Sequence, residues 1–370
     1  MRRVALFFLF ISALSVGLTG CSSSSHTSNS ASARLAYVTL SSVNQIAGFN
    51  VDSSSGALSP VTGSPFATGQ SAFAIVVHPS KKFLYVANAG ENTVSLFTMS
   101  NAGALSEVAP RTRVGDHPLG LALSADGNLL FVSNTNSNNL SVFSINTGTG
   151  ALTEVSTSPV LTDSPTALAI LPGGSTLYVA NSNSSSVSAF SIGSAGSLTP
   201  VGGSPYPTGT NPSALSVDSA GHFLYVANLD SQTFSGFSIT SSTGGLTPMP
   251  GSPYFLTLGT TNTTTSTPVS VAVDTTNNYL FVPVVNPVNI YGYAIDGTSG
   301  VPSNLSGSPF TTSATGLAFS LVDASGKFLY VGNQGSSSIS LFDIASDTGA
   351  LTSVGTVNTG SAPTSMVLVP

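Results

Sequence analysis

The sequence predicts an all-β fold closed into a ring of seven four-stranded antiparallel blades. Three observations carry that reading. An aromatic-valine pair recurs seven times, each copy sits in the same run of strand and turn signals, and the two ends of the chain carry complementary parts of one repeat. The pairs are Tyr37-Val38, Tyr85-Val86, Phe131-Val132, Tyr178-Val179, Tyr225-Val226, Phe281-Val282 and Tyr330-Val331, at spacings of 48, 46, 47, 47, 56 and 49 residues. A period near 47 residues marks a repeat architecture, in which each unit buries its apolar face against its neighbours.

Within each repeat the elements come in a fixed order. The aromatic strand leads through a polar turn to a second strand of alternating apolar and polar residues, such as Thr93-Val94-Ser95-Leu96-Phe97 or Ser338-Ile339-Ser340-Leu341-Phe342. Period-two alternation places one face of a strand against a core. A glycine turn then opens a short third strand (Gly56-Ala57-Leu58, Gly103-Ala104-Leu105, Gly150-Ala151-Leu152). A longer connection follows, often carrying Gly-Ser-Pro-aromatic, as at Gly63 to Phe66 and Gly203 to Tyr206. It reaches a fourth strand, such as residues 119–123, which turns back through Asp126-Gly127, Gly173-Gly174 or Ser325-Gly326. Dipeptides of this kind suit tight hairpins. Four antiparallel strands per repeat form the blade of a propeller. The chain enters on an aromatic strand near Leu35 and leaves on residues 364–369, which match the strand that elsewhere precedes it. The C-terminal strand is therefore expected to complete the first blade and hide two open edges.

Residues 1–20 read as an export signal, with Arg2 and Arg3 before an apolar stretch from Val4 to Gly17 that is short for a membrane span. Leu18-Thr19-Gly20-Cys21 resembles a bacterial lipobox, which implies lipidation of Cys21, the chain's one cysteine. Residues 21–34, rich in serine, form a tether, and residues 35–370 the propeller. Ser22 follows the cysteine where an aspartate would favour inner-membrane retention. The expected location is the outer membrane, periplasm or cell surface, with the membrane engaged through Cys21. Without Arg2 and Arg3 the chain keeps 6 basic against 14 acidic residues, a net charge of −8. That balance excludes nucleic acid and anionic lipid as partners, because both require clustered cations. A monomer is expected, with a protein, a glycan or a small molecule on the propeller face.

The repeat resembles the YVTN-type β-propeller, a relative of the seven-bladed lactonase family with its 6-phosphogluconolactonase-like members. Tyr85-Val86-Ala87-Asn88, Tyr178-Val179-Ala180-Asn181, Tyr225-Val226-Ala227-Asn228 and Tyr330-Val331-Gly332-Asn333 carry the resemblance. The asparagine recurs at 88, 134, 181, 228 and 333, with Leu40 and Val284 in its place elsewhere. Repetition assigns it a structural bond to the turn backbone.

The resemblance implies His- and Arg-bearing motifs just before the inner strands. The matching positions here read Ser71-Ala72-Phe73, Pro118-Leu119-Gly120, Pro165-Thr166-Ala167, Pro212-Ser213-Ala214, Pro268-Val269-Ser270, Thr315-Gly316 and Pro363-Thr364-Ser365. None holds histidine or arginine, so the family's catalytic residues do not transfer. Opening a lactone needs a general base and cationic stabilisation of the oxyanion. The candidates are Arg111, Arg113, Asp116 and His117, gathered in one connection of blade 2. His117, Arg113 and Asp116 would serve as acid, base or electrostatic groups, and Arg111, Arg113 and His117 as ligand contacts. His78 and His222 fall at hairpin turns and read as structural. No metal-ligand spacing and no cofactor motif is present. The insertion at residues 255–267 (FLTLGTTNTTTST) lies before an inner strand on the same face, where long loops often bind. Three readings follow: a non-enzymatic binding module of the cell envelope, a lactonase-like hydrolase, and a purely structural surface repeat protein.

Overall fold

The computed structural model describes residues 34–256 and 266–369. The expected signal, Cys21 and nearly all of the tether lie outside them, as do residues 257–265 of the insertion. Among the described residues the fold is seven antiparallel sheets with a single 3-10 turn, Ser41–Val43. The first strand begins at Arg34, one residue before the expected boundary.

Blade 2 shows the plan. Its inner strand Ala72–Val77 pairs with Phe83–Asn88, which pairs with Thr93–Met99, which pairs with the outer strand Leu105–Arg113. The second strand of a blade is buried on both faces: Phe83–Asn88, Thr176–Asn181, Phe223–Asn228 and Phe328–Asn333 are buried at every position. Blade 1 closes the ring as expected. Pro363–Val369 pairs antiparallel with Arg34–Leu40, joining Val369 to Leu35 and Met366 to Val38.

The outer strands differ from the sequence reading. In blade 1 Leu58–Pro60 and Phe66–Ala67 both pair with Gln45–Val51, so the Gly-Ser-Pro segment interrupts an outer strand instead of leading away from it. Blades 3, 4, 5 and 6 repeat this arrangement. At each interruption a serine hydroxyl accepts the N–H of the facing strand: Ser64 from Gly48, Ser158 from Val142, Ser204 from Ala189, Ser252 from Gly236 and Ser308 from Gly292. The serine replaces a missing strand carbonyl, which a buried N–H requires. Its Pro is cis in all five. Blades 2 and 7 instead keep continuous outer strands, Leu105–Arg113 and Leu351–Asn358.

Blades pack face to face through seven apolar clusters, each drawn from two adjacent blades. One joins Tyr37 and Ile46 of blade 1 to Leu84, Val86 and Phe97 of blade 2. The aromatic of the valine pair sits within these clusters, and its hydroxyl reaches further. Tyr37, Tyr85, Tyr178, Tyr225 and Tyr330 donate to the carbonyls of Gly103, Gly150, Gly244, Gly300 and Gly56, each in the next blade, at 2.6–2.9 Å. Phe131 and Phe281 supply the ring alone.

The repeated asparagine bonds differently from the expectation. Its Nδ2 donates to side chains across the hairpin, five and seven residues on, and not to turn backbone. Asn88 reaches Thr93 and Ser95, Asn181 reaches Ser186 and Ser188, Asn228 reaches Thr233 and Ser235, and Asn333 reaches Ser338 and Ser340. Asn134 uses Asn139 and Ser141. The strand is buried on both faces there, so a polar side chain must find polar partners within the sheet.

Candidate functional site

Two kinds of connection meet on one face of the ring: the loops entering the inner strands, and the turns between second and third strands. Of the sequence candidates, Asp116 and His117 lie on this face in the loop that enters the inner strand Pro118–Leu123, whereas Arg111 and Arg113 belong to the outer strand Leu105–Arg113 and not to the connection. The inner strands of a propeller line its central channel. Here Ala72–Val77, Pro118–Leu123, Pro165–Ile170, Pro212–Val217, Leu317–Val322 and Pro363–Val369 hold no charged residue. They present apolar groups such as Phe73, which is 37% exposed, together with hydroxyls.

Hydroxyls of the inner and second strands tie one blade to the next. Thr364 donates to the Ala72 carbonyl at 3.0 Å, and Thr39 to that of Phe73 at 2.6 Å. Ser133 donates to the Thr166 carbonyl, and Thr166 in turn to that of Pro212. The Ser320 hydroxyl donates to Ser270 at 3.0 Å. Groups this engaged are fixed in direction; Thr39 and Ser133 are fully buried, and Thr166 and Ser320 are the partly exposed members.

The loops are latched by a second repeating device. Asn44, Asn92 and Asn138 adopt positive φ in the turns between second and third strands. Their Oδ1 atoms accept the backbone N–H of Ser71, His117 and Ser164, respectively, at 2.9–3.0 Å. Those three residues also have positive φ, as does Asn211 in the corresponding place. His117 therefore occupies a turn position that other blades fill with serine or asparagine. Its backbone is held at φ 57 by Asn92 and by the N–H of Thr135, which donates to the His117 carbonyl.

The other candidates are distributed around it. Arg111 is committed to its own blade. Its Nε and Nη2 donate to the two carboxylate oxygens of Glu107 at 2.7 and 3.1 Å, and its Nη1 donates to Glu91 at 2.9 Å. The hydrogen bond to Glu107 raises the Arg111 pKa further. Burial pushes the Glu91 carboxyl up, but the Thr93 hydroxyl and the Arg111 charge outweigh it and hold it below its ordinary value. Two carboxylates on one guanidinium leave this corner net negative, which disfavours an anion there. Arg113 and Asp116 are exposed, and His117 is half-buried. The Asp116 N–H donates to the Ser137 hydroxyl. No ion pair or hydrogen bond joins the side chains of Arg113, Asp116 and His117 among the described residues. Nor is there, among the described residues, any group of three histidine, cysteine or carboxylate residues able to hold a metal ion.

His78 and His222 lie at the opposite face. The Ser80 N–H donates to His78 Nδ1, and His78 Nε2 donates to the Gly127 carbonyl of blade 3 at 2.9 Å. His78 is thus an inter-blade strut. Sequence reasoning missed the most extensive polar networks, the tyrosine–glycine bonds and the asparagine brackets. The second was visible as a hydroxyl or amide at five and a serine at seven residues beyond each asparagine. Where asparagine gives way to Leu40 and Val284, the seventh residue is Ala47 and Tyr291.

Fold and lining together define a seven-bladed propeller with an uncharged channel wall, its charged candidates divided between an outer strand (Arg111 and Arg113) and the loop entering the next inner strand (Asp116). The chain belongs to the family described as "Lactonase, 7-bladed beta-propeller", which matches residues 15–170, 160–255 and 306–370. Among solved structures it is similar to a candidate 6-phosphogluconolactonase of Bacteroides fragilis, at 18% identity and a TM-score of 0.80, covering 93% of this chain and 99% of that one. It is also similar to the periplasmic gluconolactonase of Pseudomonas aeruginosa, at 18% identity and a TM-score of 0.77, covering 91% and 99%. At such identities the likeness is one of fold. A 6-phosphogluconolactonase of Formosa agariphila is 35% identical over 72 residues, which are 19% of this chain; the chain spans about a fifth (20%) of that relative's length. Among the described residues no helix is long and apolar enough to cross a membrane.

Proposed function

We propose that this lactonase-family propeller is an exported, lipid-anchored binding module of the cell envelope that holds a neutral, polar ligand on its channel face. The observation that carries this reading is the absence of charge from the inner strands. Lactone opening needs a base and a cation aimed at one reacting carbon. Here Arg111 is held by Glu107 and Glu91, and the backbone of His117 serves a turn shared by several blades. An uncharged wall of mainly apolar side chains with scattered hydroxyls such as Thr166, Ser216 and Ser320 suits a neutral molecule, whose orientation is set by hydrogen bonds.

The second reading is a lactone hydrolase using Arg113, His117 and Asp116. Family membership and the likeness to the periplasmic gluconolactonase favour it. Turnover of a sugar-lactone panel by the full chain, followed in a pH-stat, separates the two. The binding reading expects background rates and a thermal shift with neutral sugars. Turnover well above background that disappears in His117→Asn and Arg113→Gln would replace it with the hydrolase. Radiolabelled palmitate tests the anchor, with incorporation expected in the native chain and lost in Cys21→Ala.

A further inference from the structure

On the face opposite the candidate site, the blades touch through the hairpins that join each inner strand to the second strand. Gly127 lies against His78, Gly174 against Ala125, Gly221 against Leu171 and Gly326 against Thr275. The Ser219 hydroxyl extends the series by donating to the Thr275 carbonyl at 3.1 Å. This circuit is interrupted at blade 1. There the inner strand Pro363–Val369 and the second strand Arg34–Leu40 come from distant parts of the sequence, and no hairpin joins them.

A cavity of about 280 Å³ lies at the interruption. Its walls are the apolar ends of three strands: Val51, then Leu321 and Val322, then residues 366–369. Arg34 and Asp323 also line it, joined by an ion pair at 3.2 Å. Asp323 has no capacity to spare. One carboxylate oxygen accepts the N–H groups of Lys327 and Phe328, and the other accepts the N–H and hydroxyl of Ser325 as well as Arg34. Arg34 is in the opposite condition. A guanidinium carries five donors, and among the described residues only Nη1 makes a hydrogen bond. Its side chain is 27% exposed. The site thus combines an apolar pit with an under-used cation held at its edge by a saturated carboxylate.

We propose that this cavity binds a free medium-chain carboxylate, its alkyl chain in the pit and its head on the open donors of Arg34. Arginine matches a carboxylate with two parallel hydrogen bonds. An apolar cavity of about 150 Å³ accepts a six-carbon ring, so this one takes roughly eight to ten carbons by the same scale. That capacity excludes the paired chains of a membrane lipid and selects a single-chain acid. The site lies away from the channel face and does not depend on the function proposed there.

The test is calorimetric titration of the full chain with sodium hexanoate, octanoate and decanoate, and with 1-octanol. Saturable octanoate or decanoate binding is expected, falling about tenfold for each two methylenes removed. Arg34→Gln should weaken octanoate at least tenfold and leave the alcohol unchanged. Val51→Phe, which narrows the pit without touching the ion pair, should abolish both. Circular dichroism and the melting temperature establish that each variant is folded, and Leu368→Phe replaces Val51→Phe if that variant is not. The proposal is overturned if the full chain binds no carboxylate saturably, if the alcohol binds as tightly as octanoate, or if a folded pit-narrowing variant binds as before.

Discussion

The Tyr330 hydroxyl donates to the Gly56 carbonyl at 2.7 Å, across the seam where blade 7 meets blade 1. The residues are 274 positions apart in sequence. Tyr330 is fully buried, and Gly56 occupies a turn at φ 69 that its lack of a side chain permits. The bond closes the ring by the same means that Tyr37, Tyr85, Tyr178 and Tyr225 use elsewhere. The seam is thus held by ordinary inter-blade chemistry as well as by the strand pairing of Pro363–Val369 with Arg34–Leu40.

Tyr330→Phe removes the donor and leaves a buried carbonyl unpaired. A loss of about 1–3 kcal/mol is expected, read as a lower urea midpoint with an unchanged slope. An unaltered midpoint would show that the hydroxyl contributes nothing at the seam.

High pH should unfold the protein through the same residues. Burial raises the Tyr37 pKa from 10.0 to about 12 and pushes Tyr85, Tyr178, Tyr225 and Tyr330 up still further. The native state holds these protons more tightly than the unfolded chain. Their contribution is complete below about pH 10 and is lost as pH rises through the folded values. Phenolate absorbance and circular dichroism should therefore change together in one cooperative step above about pH 10. Phenolate formation at lower pH without unfolding would contradict the buried network.

Asp323 should matter far more than its partner Arg34. Burial pulls its carboxyl up, but the Ser325 hydroxyl and the N–H groups of Phe328, Ser325 and Lys327 prevail, and its pKa lies below the ordinary value. That stability is present above the unfolded carboxylate pKa and is lost as pH falls through the lower folded value. Asp323→Ala is expected to cost about 3 kcal/mol or more, since it orphans several donors at once. Arg34→Gln is expected to cost less than about 1 kcal/mol, as for an ion pair with one partner near solvent. Asp323→Asn should also flatten the acid limb of a stability-versus-pH curve below about pH 4. Equal costs for the two positions would contradict this division.

His117 is expected to tolerate asparagine. Asn211 holds the corresponding turn at φ 58, so His117→Asn should change stability by less than about 0.5 kcal/mol. His117→Val forces a β-branched residue into the same left-handed conformation and should cost about 1–3 kcal/mol. Thermal denaturation of both variants checks the pair of expectations.

Much of the fold was legible in the chain. The seven aromatic-valine pairs, the alternating third strands and the glycine turns are local signals whose periods follow backbone geometry. The closing strand was legible too, because residues 364–369 repeat a pattern found before every other aromatic strand. The interruptions of the outer strands were not, because Gly-Ser-Pro reads as a turn whether or not the chain pairs again beyond it. For the site, composition sufficed to show inner strands without charge. It could not show that Arg111 is taken by Glu107 and Glu91, or that the His117 backbone fills a turn supported by Asn92.

The sequence by itself thus determined the repeat, the strand order within a blade and the neutral lining, since each depends on residues a few positions apart. Tertiary structure alone decided the partners: Tyr330 with Gly56, Arg34 with Asp323, and the apolar pit where no hairpin fills the first blade. Such contacts join side chains as many as 325 positions apart in sequence, as between Thr39 and Thr364. Local spacing holds no information about them, because they exist only once the ring has closed.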